Sequence, residues 1–136
     1  MRSAVNAIVV DASAVLEVLL RTRRAGAISR RILADDAALH APHLLDVEVA
    51  QVLRRYARAR EVGVARATQA LADFMDVRVE RYPMEPLLGR IWALRDTVTA
   101  YDAAYIALAE ALEAPLLTCD ARLASSTGHR AAIELR

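Results

Sequence analysis

Short apolar runs alternate with helix-length amphipathic segments along this chain, and that alternation constrains its fold more than any other feature. Residues 6–10 (NAIVV) are a β-branched run that reads as a buried strand. Residues 13–22 follow as a helix with Ser13 as N-cap, and a second helix is expected at about 25–35. A brief strand at 38–41 precedes Pro42. A long helix then runs from about 43 to 60, and residues 64–75 return beyond Gly63 as its antiparallel partner. Residues 77–80 (VRVE) alternate as a strand, and a helix at about 85–96 carries Trp92. An alanine-rich helix at 101–113 has Thr99 as its cap. Residues 115–118 (PLLT) read as another buried strand, 120–124 as a short helix and 131–135 as a last strand. Strands separated by helices imply a mainly parallel, twisted sheet of about four or five strands, covered on both faces. The expectation is an α/β fold occupying residues 1–136 as one domain. In such sheets ligands bind beyond the carboxyl ends of the strands.

Two acids stand at such ends. Asp11 follows NAIVV directly, and Asp120 follows PLLT. Either can be an ordinary cap for the helix after it, although Ser13 is available to cap the first. Two more acids lie on helix faces turned inward. Leu45, Val49, Val52 and Tyr56 form the apolar stripe of the long helix. Glu48 falls about 40° from Val52 at about 100° per residue. Asp102 aligns with Ile106 and Ala109, and it also suits a capping box with Thr99. Asp46 projects away from the stripe, toward water.

Each acid has a bland account, and four in such positions are harder to dismiss together. Close carboxylates repel and raise one another's pKa, and a hard divalent cation relieves that repulsion. With three histidines in no metal-binding spacing and one cysteine, Cys119, oxygen ligation by Mg²⁺ or Mn²⁺ is favoured over Zn²⁺. Carboxylate-held magnesium is the usual means of activating water for in-line phosphodiester displacement. Ser13 and Thr118 each lie two residues from an acid, placed to orient a carboxylate or to serve as core hydrogen bonds.

Composition narrows the chemistry further. The 18 basic residues, all arginine, nearly balance 17 acidic ones for a net charge of +1. Without lysine, the chain has neither the phosphate-reaching amine of a P-loop nor the amine of Schiff-base and kinase chemistry. The first twenty residues resemble a signal peptide only superficially, because Asn6, Asp11 and Glu17 interrupt the apolar run. No stretch is long and apolar enough to span a membrane, so the expected location is the cytoplasm. Arginines cluster at 21–24, 30–31 and 54–60, as phosphate contacts or as solvated helix faces. Val64, Leu71 and Phe74 suit either the core or a partner surface, and Trp92 is expected in the core rather than at a dimer contact.

The segments VVDASAVLEVLL, PHLLDVEVAQVLRR and TAYDAAYIALAEALEAPLLTCDARLA resemble the PIN domain, and more narrowly the VapC-type toxins of type II toxin–antitoxin pairs. The resemblance runs from about Asn6 to Ala124, and its last segment is the most specific. It implies a three-layer α/β/α fold and a metal-dependent endoribonuclease using Mg²⁺, with Mn²⁺ as substitute. The family's four acids map onto Asp11, Glu48, Asp102 and Asp120, with Asp11 and Asp102 as the surest metal contacts. It further implies an RNA substrate (a tRNA or a ribosomal RNA), a homodimer, and a VapB-type antitoxin whose arginine blocks the pocket. DNA would be bound only through that antitoxin. Two other readings remain open on sequence. One is a catalytically silent module using its acids for a basic partner. The other is a DNA-directed flap nuclease, whose usual helical additions 136 residues cannot supply.

Overall fold

A computed structural model describes residues 6–34 and 36–136. The expected end of the second helix, residue 35, lies outside them. The strands are β1 (Ala7–Val10), β2 (Ala38–Pro42), β3 (Val79–Tyr82), β4 (Leu116–Thr118) and β5 (Ile133–Leu135). They form one five-stranded sheet in the order β3-β2-β1-β4-β5, with every adjacent pair parallel. The helices are α1 (Ala12–Leu19), α2 (Ala25–Ala34), α3 (Leu44–Arg58), α4 (Val64–Asp76), α5 (Leu88–Ala93), α6 (Ala100–Leu112) and α7 (Ala121–Ala124).

The period-2 alternation of the central strands builds two cores. Ile8, Val10 and Leu117 point to one face, against Leu16, Leu45, Val49, Leu53, Ala70 and Phe74 of α1, α3 and α4. Ala7, Val9 and Leu116 point to the other, against Ile91, Leu94, Leu123 and α6. Seven consecutive α6 residues, Ala103 to Ala109, are buried, so this helix is enclosed on nearly all sides. The result is the expected three-layer α/β/α arrangement.

Strand order reverses at β1. The chain builds outward through β2 and β3, then crosses over to place β4 on the opposite side of β1. The two connections diverge there and leave a crevice beyond the carboxyl ends of β1 and β4. Asp11 and Asp120 follow those two strands.

Three local expectations are corrected. The cap of α1 is Asp11, whose side chain accepts a hydrogen bond from the Ala14 N–H at 3.0 Å, rather than Ser13. The helix expected at 85–96 is a 3-10 turn (Glu85–Leu87) followed by the six residues of α5. Trp92 is 68% exposed, not in the core. Ile91 and Leu94, three residues apart, supply the buried side here, and their neighbour Trp92 points outward under the Arg95 guanidinium, 4.8 Å from its ring. Of the apolar trio in α4, Phe74 is core, Leu71 is half-buried and Val64 is exposed.

Candidate active site

Asp11 is the most buried of the four acids, at 7% exposure. Its Oδ1 accepts from the Ser13 hydroxyl at 2.7 Å and from the Ala14 N–H, and its Oδ2 accepts from the Thr118 hydroxyl at 2.5 Å. Ser13 and Thr118 thus each donate a hydroxyl to one oxygen of this carboxylate. They also join the strand ends. Ser13 Oγ accepts the Cys119 N–H at 2.9 Å, and Thr118 Oγ1 accepts the Asp120 N–H at 3.0 Å. Burial pushes the Asp11 carboxyl above its ordinary range against the hydrogen bonds from Thr118, Ala14 and Ser13, and Asp120 adds to the rise.

Glu48 reaches the same crevice from α3 and is half-buried. Tyr105 of α6, 2% exposed, donates its hydroxyl to Glu48 Oε1 at 2.5 Å. This bond ties together helices that lie on opposite faces of the sheet. Burial raises the Glu48 carboxyl, the Tyr105 bond opposes the rise, and Asp11 and Asp102 reinforce it. Burial likewise raises the Tyr105 phenol, helped by its bond to Glu48, so the phenol remains a donor.

Asp102 sits in the first turn of α6, where its backbone N–H bonds the cap hydroxyl of Thr99 at 3.1 Å. Asp120 caps α7 by accepting from the Arg122 and Leu123 N–H groups at 2.9 and 3.4 Å. Their carboxylates share a cation: Arg122 Nη1 lies 3.0 Å from Asp102 Oδ2, and Nη2 lies 3.2 Å from Asp120 Oδ2. The contact to Asp102 Oδ2 is an ion pair without hydrogen-bond alignment, and that buried oxygen has no hydrogen-bond partner. Electrostatic influence links these acids pair by pair. Asp120 acts on Asp11, Asp11 and Asp102 act on Glu48, and Arg122 bridges Asp102 to Asp120.

The donor set is oxygen-rich and anionic, which suits Mg²⁺ or Mn²⁺. Asp11 and Glu48, whose carboxyls are raised by burial, have no cationic side chain bonded to them among the described residues, and a positive charge would relieve both. Among the described residues, however, no three acidic, histidine or cysteine side chains are gathered closely enough to close a metal cage as they stand. The residues fit such an ion by chemistry and charge as an open set, not as an enclosed one.

Sequence reasoning missed two contacts at this crevice. Tyr105 carried a signal, since a buried phenol needs a partner for its hydroxyl. Arg122, two residues past Asp120, carried none stronger than proximity. From the arginine clusters, Arg24 approaches the strand end by donating to the Cys119 carbonyl at 3.2 Å. Arg55 lines a neighbouring cleft of about 420 Å³ with Ser13, Glu17, Val52 and Tyr56. Asp46 is not simply solvated, because Arg81 Nε holds its two oxygens at 2.8 and 3.0 Å.

Comparison with known proteins agrees with this architecture. The model of the PIN domain family matches residues 8–127. Ribonuclease VapC12 of Mycobacterium tuberculosis is 41% identical over 128 residues, covering 94% of this chain and 98% of its own. VapC ribonuclease Mb0985 of Mycobacterium bovis is 47% identical over 121 residues, covering 89% and 91%. The crystal structure of PAE2754 from Pyrobaculum aerophilum superposes with a TM-score of 0.71 at 26% identity, covering 96% of this chain and 85% of that one. This chain belongs to the PIN domain family, and within it to the group of the VapC ribonucleases. Among the described residues no helix is long and apolar enough to cross a membrane.

Proposed function

We propose that the chain is a divalent-metal-dependent endoribonuclease, the toxin of a type II toxin–antitoxin pair, with Asp11, Glu48, Asp102 and Asp120 as its acidic centre. The observation that supports this reading is that Asp11 and Asp120 follow the adjacent strands β1 and β4, with Asp11 and Asp102 both acting electrostatically on Glu48. The names of the VapC relatives support ribonuclease activity.

Asp11 and Asp102 are the principal ligands in this reading, and Glu48 and Asp120 complete the set. The ion, Mg²⁺ or Mn²⁺, would activate water and stabilise charge at the phosphate. The chain's own part is positional. Ser13 and Thr118 fix both oxygens of Asp11, and Tyr105 fixes Glu48. The cleft beside Ser13 gives RNA a place to lie, with the Arg55 guanidinium available to its backbone. A VapB-type antitoxin and a second copy of the chain are the expected partners, and a tRNA or a ribosomal RNA the expected target.

The direct test is cleavage of total RNA by the purified chain with Mg²⁺ or Mn²⁺, with and without chelator. Cleavage should need the ion and be lost in Asp11→Asn and Asp102→Asn. Either variant cutting at the wild-type rate overturns the assignment. Parallel reactions on DNA separate RNA from DNA as the substrate.

A further inference from the structure

The acidic crevice already contains a positive charge that belongs to this chain. We propose that Arg122 is the resident counter-cation of the pocket, and that it must leave Asp102 and Asp120 before a divalent cation can enter. It thereby sets the apparent metal affinity of the chain. This inference rests on the metal-dependent reading above and deepens it.

Three observations carry it. First, the guanidinium bridges two carboxylates contributed by different helices, at 3.0 Å from Asp102 Oδ2 and 3.2 Å from Asp120 Oδ2. Second, no closed metal cage is assembled among the described residues in this arrangement, and the guanidinium stands between two of the acids that would build one. Third, the arginine is held loosely enough to move. Its side chain is 65% exposed, and its one aligned side-chain hydrogen bond, from Nη2 to Asp120 Oδ2 at 3.2 Å, is itself solvent-exposed. Its backbone N–H bonds Asp120 Oδ1 independently, so α7 keeps its cap when the side chain swings away. Release costs a rotamer change, the exposed hydrogen-bonded pair with Asp120, and the ion pair at the buried Asp102 oxygen, so it goes forward when a metal ion takes over the charge the guanidinium leaves. A dication carries twice the charge of the guanidinium and can contact several carboxylates together, so it wins the exchange. Arg122 is a positioning residue in this scheme, acting on Asp102 and Asp120.

The test is calorimetric titration of MnCl₂ into chelator-stripped full-length chain, comparing wild type, Arg122→Gln and Arg24→Gln without RNA. Arg24 lies near the same strand end but bonds a backbone carbonyl, so its variant controls for loss of a nearby positive charge. Arg122→Gln should bind Mn²⁺ roughly threefold to tenfold more tightly than wild type. Arg24→Gln should change affinity by less than about twofold, and added salt should narrow the Arg122 effect. Thermal melts should show Arg122→Gln folded, since Asp120 caps α7 through backbone N–H groups. Equal or weaker Mn²⁺ binding by Arg122→Gln, with wild type binding normally, overturns the counter-cation role alone. An equal gain in Arg24→Gln does the same. No Mn²⁺ binding by either wild type or Arg122→Gln overturns the metal reading, and this inference with it.

Discussion

Replacing Asp11 by Asn should make the metal-free protein more stable while abolishing its activity. Asp11 is 7% exposed, and burial outweighs its three hydrogen bonds, so its carboxyl lies above the ordinary value of 3.8. The folded state therefore binds a proton there more readily than the unfolded chain does. Stability from this group is fully present below pH 3.8 and is lost as pH rises through the elevated folded value. At neutral pH the buried charge is a net cost, which Asn removes at nearly constant shape. The Asn oxygen can still accept from Ser13 and Ala14. The Thr118 hydroxyl loses its acceptor and must turn to Ser13 Oγ, 3.2 Å away. That rearrangement costs about 1 kcal/mol, against roughly 2–3 kcal/mol regained by not burying the charge. The expected net gain is about 1–2 kcal/mol, or a rise in Tm of roughly 3–8 °C. Urea denaturation in chelator at several pH values measures it, and the gap should open between acid and neutral pH. Saturating Mg²⁺ at about a hundred times Kd should then stabilise wild type by about 2.7 kcal/mol and the variant far less. Asp11→Ala is the contrast, since it also loses the α1 cap, worth about 1 kcal/mol. If Asp11→Asn is destabilised by more than about 1 kcal/mol at neutral pH in chelator, the argument from burial is wrong.

Other outcomes follow from the same network. Thr118→Val removes both the donor to Asp11 and the acceptor for the Asp120 N–H; it should cost about 2–3 kcal/mol in urea melts and slow RNA cleavage at least tenfold, by roughly the effect of losing a ligand-orienting partner. Tyr105→Phe frees Glu48 and should lower cleavage about tenfold at fixed metal, with a smaller loss of stability; an unchanged rate would show that Glu48 needs no anchor. Glu110, whose side chain is 3% exposed, accepts from Arg90 at 2.7 and 2.9 Å and from the Arg130 N–H at 2.8 Å. Its bond with Arg90 holds its carboxyl down at about 2, so its contribution is present above the ordinary value of 4.5 and is lost as pH falls toward 2. Glu110→Gln should lose about 1–3 kcal/mol at neutral pH and show a flatter acid limb in pH-dependent melts.

The amino-acid pattern by itself determined the alternation of strands and helices, the two-faced sheet, and the four acids worth attention. These are local properties: β-branched runs, a 3.6-residue stripe, and carboxylates at the edges of apolar segments. Its errors were local too. Asp11 and Ser13 compete for one cap, and only the geometry of the strand end shows the carboxylate facing the Ala14 N–H while Ser13 turns back to support it. Trp92 looked like core because it is large and apolar, but a helix of six residues has one buried side, already taken by Ile91. Tertiary structure alone decided which groups meet. Tyr105 and Glu48 are 57 residues apart in sequence, and Thr118 and Asp11 are 107 apart. Those encounters depend on strand order and on two helices converging from opposite faces of the sheet. Arg122 came to bridge Asp102 and Asp120 in the same way. A periodic pattern fixes which side of an element is buried, whereas the partner found there depends on how the whole chain closes around the sheet.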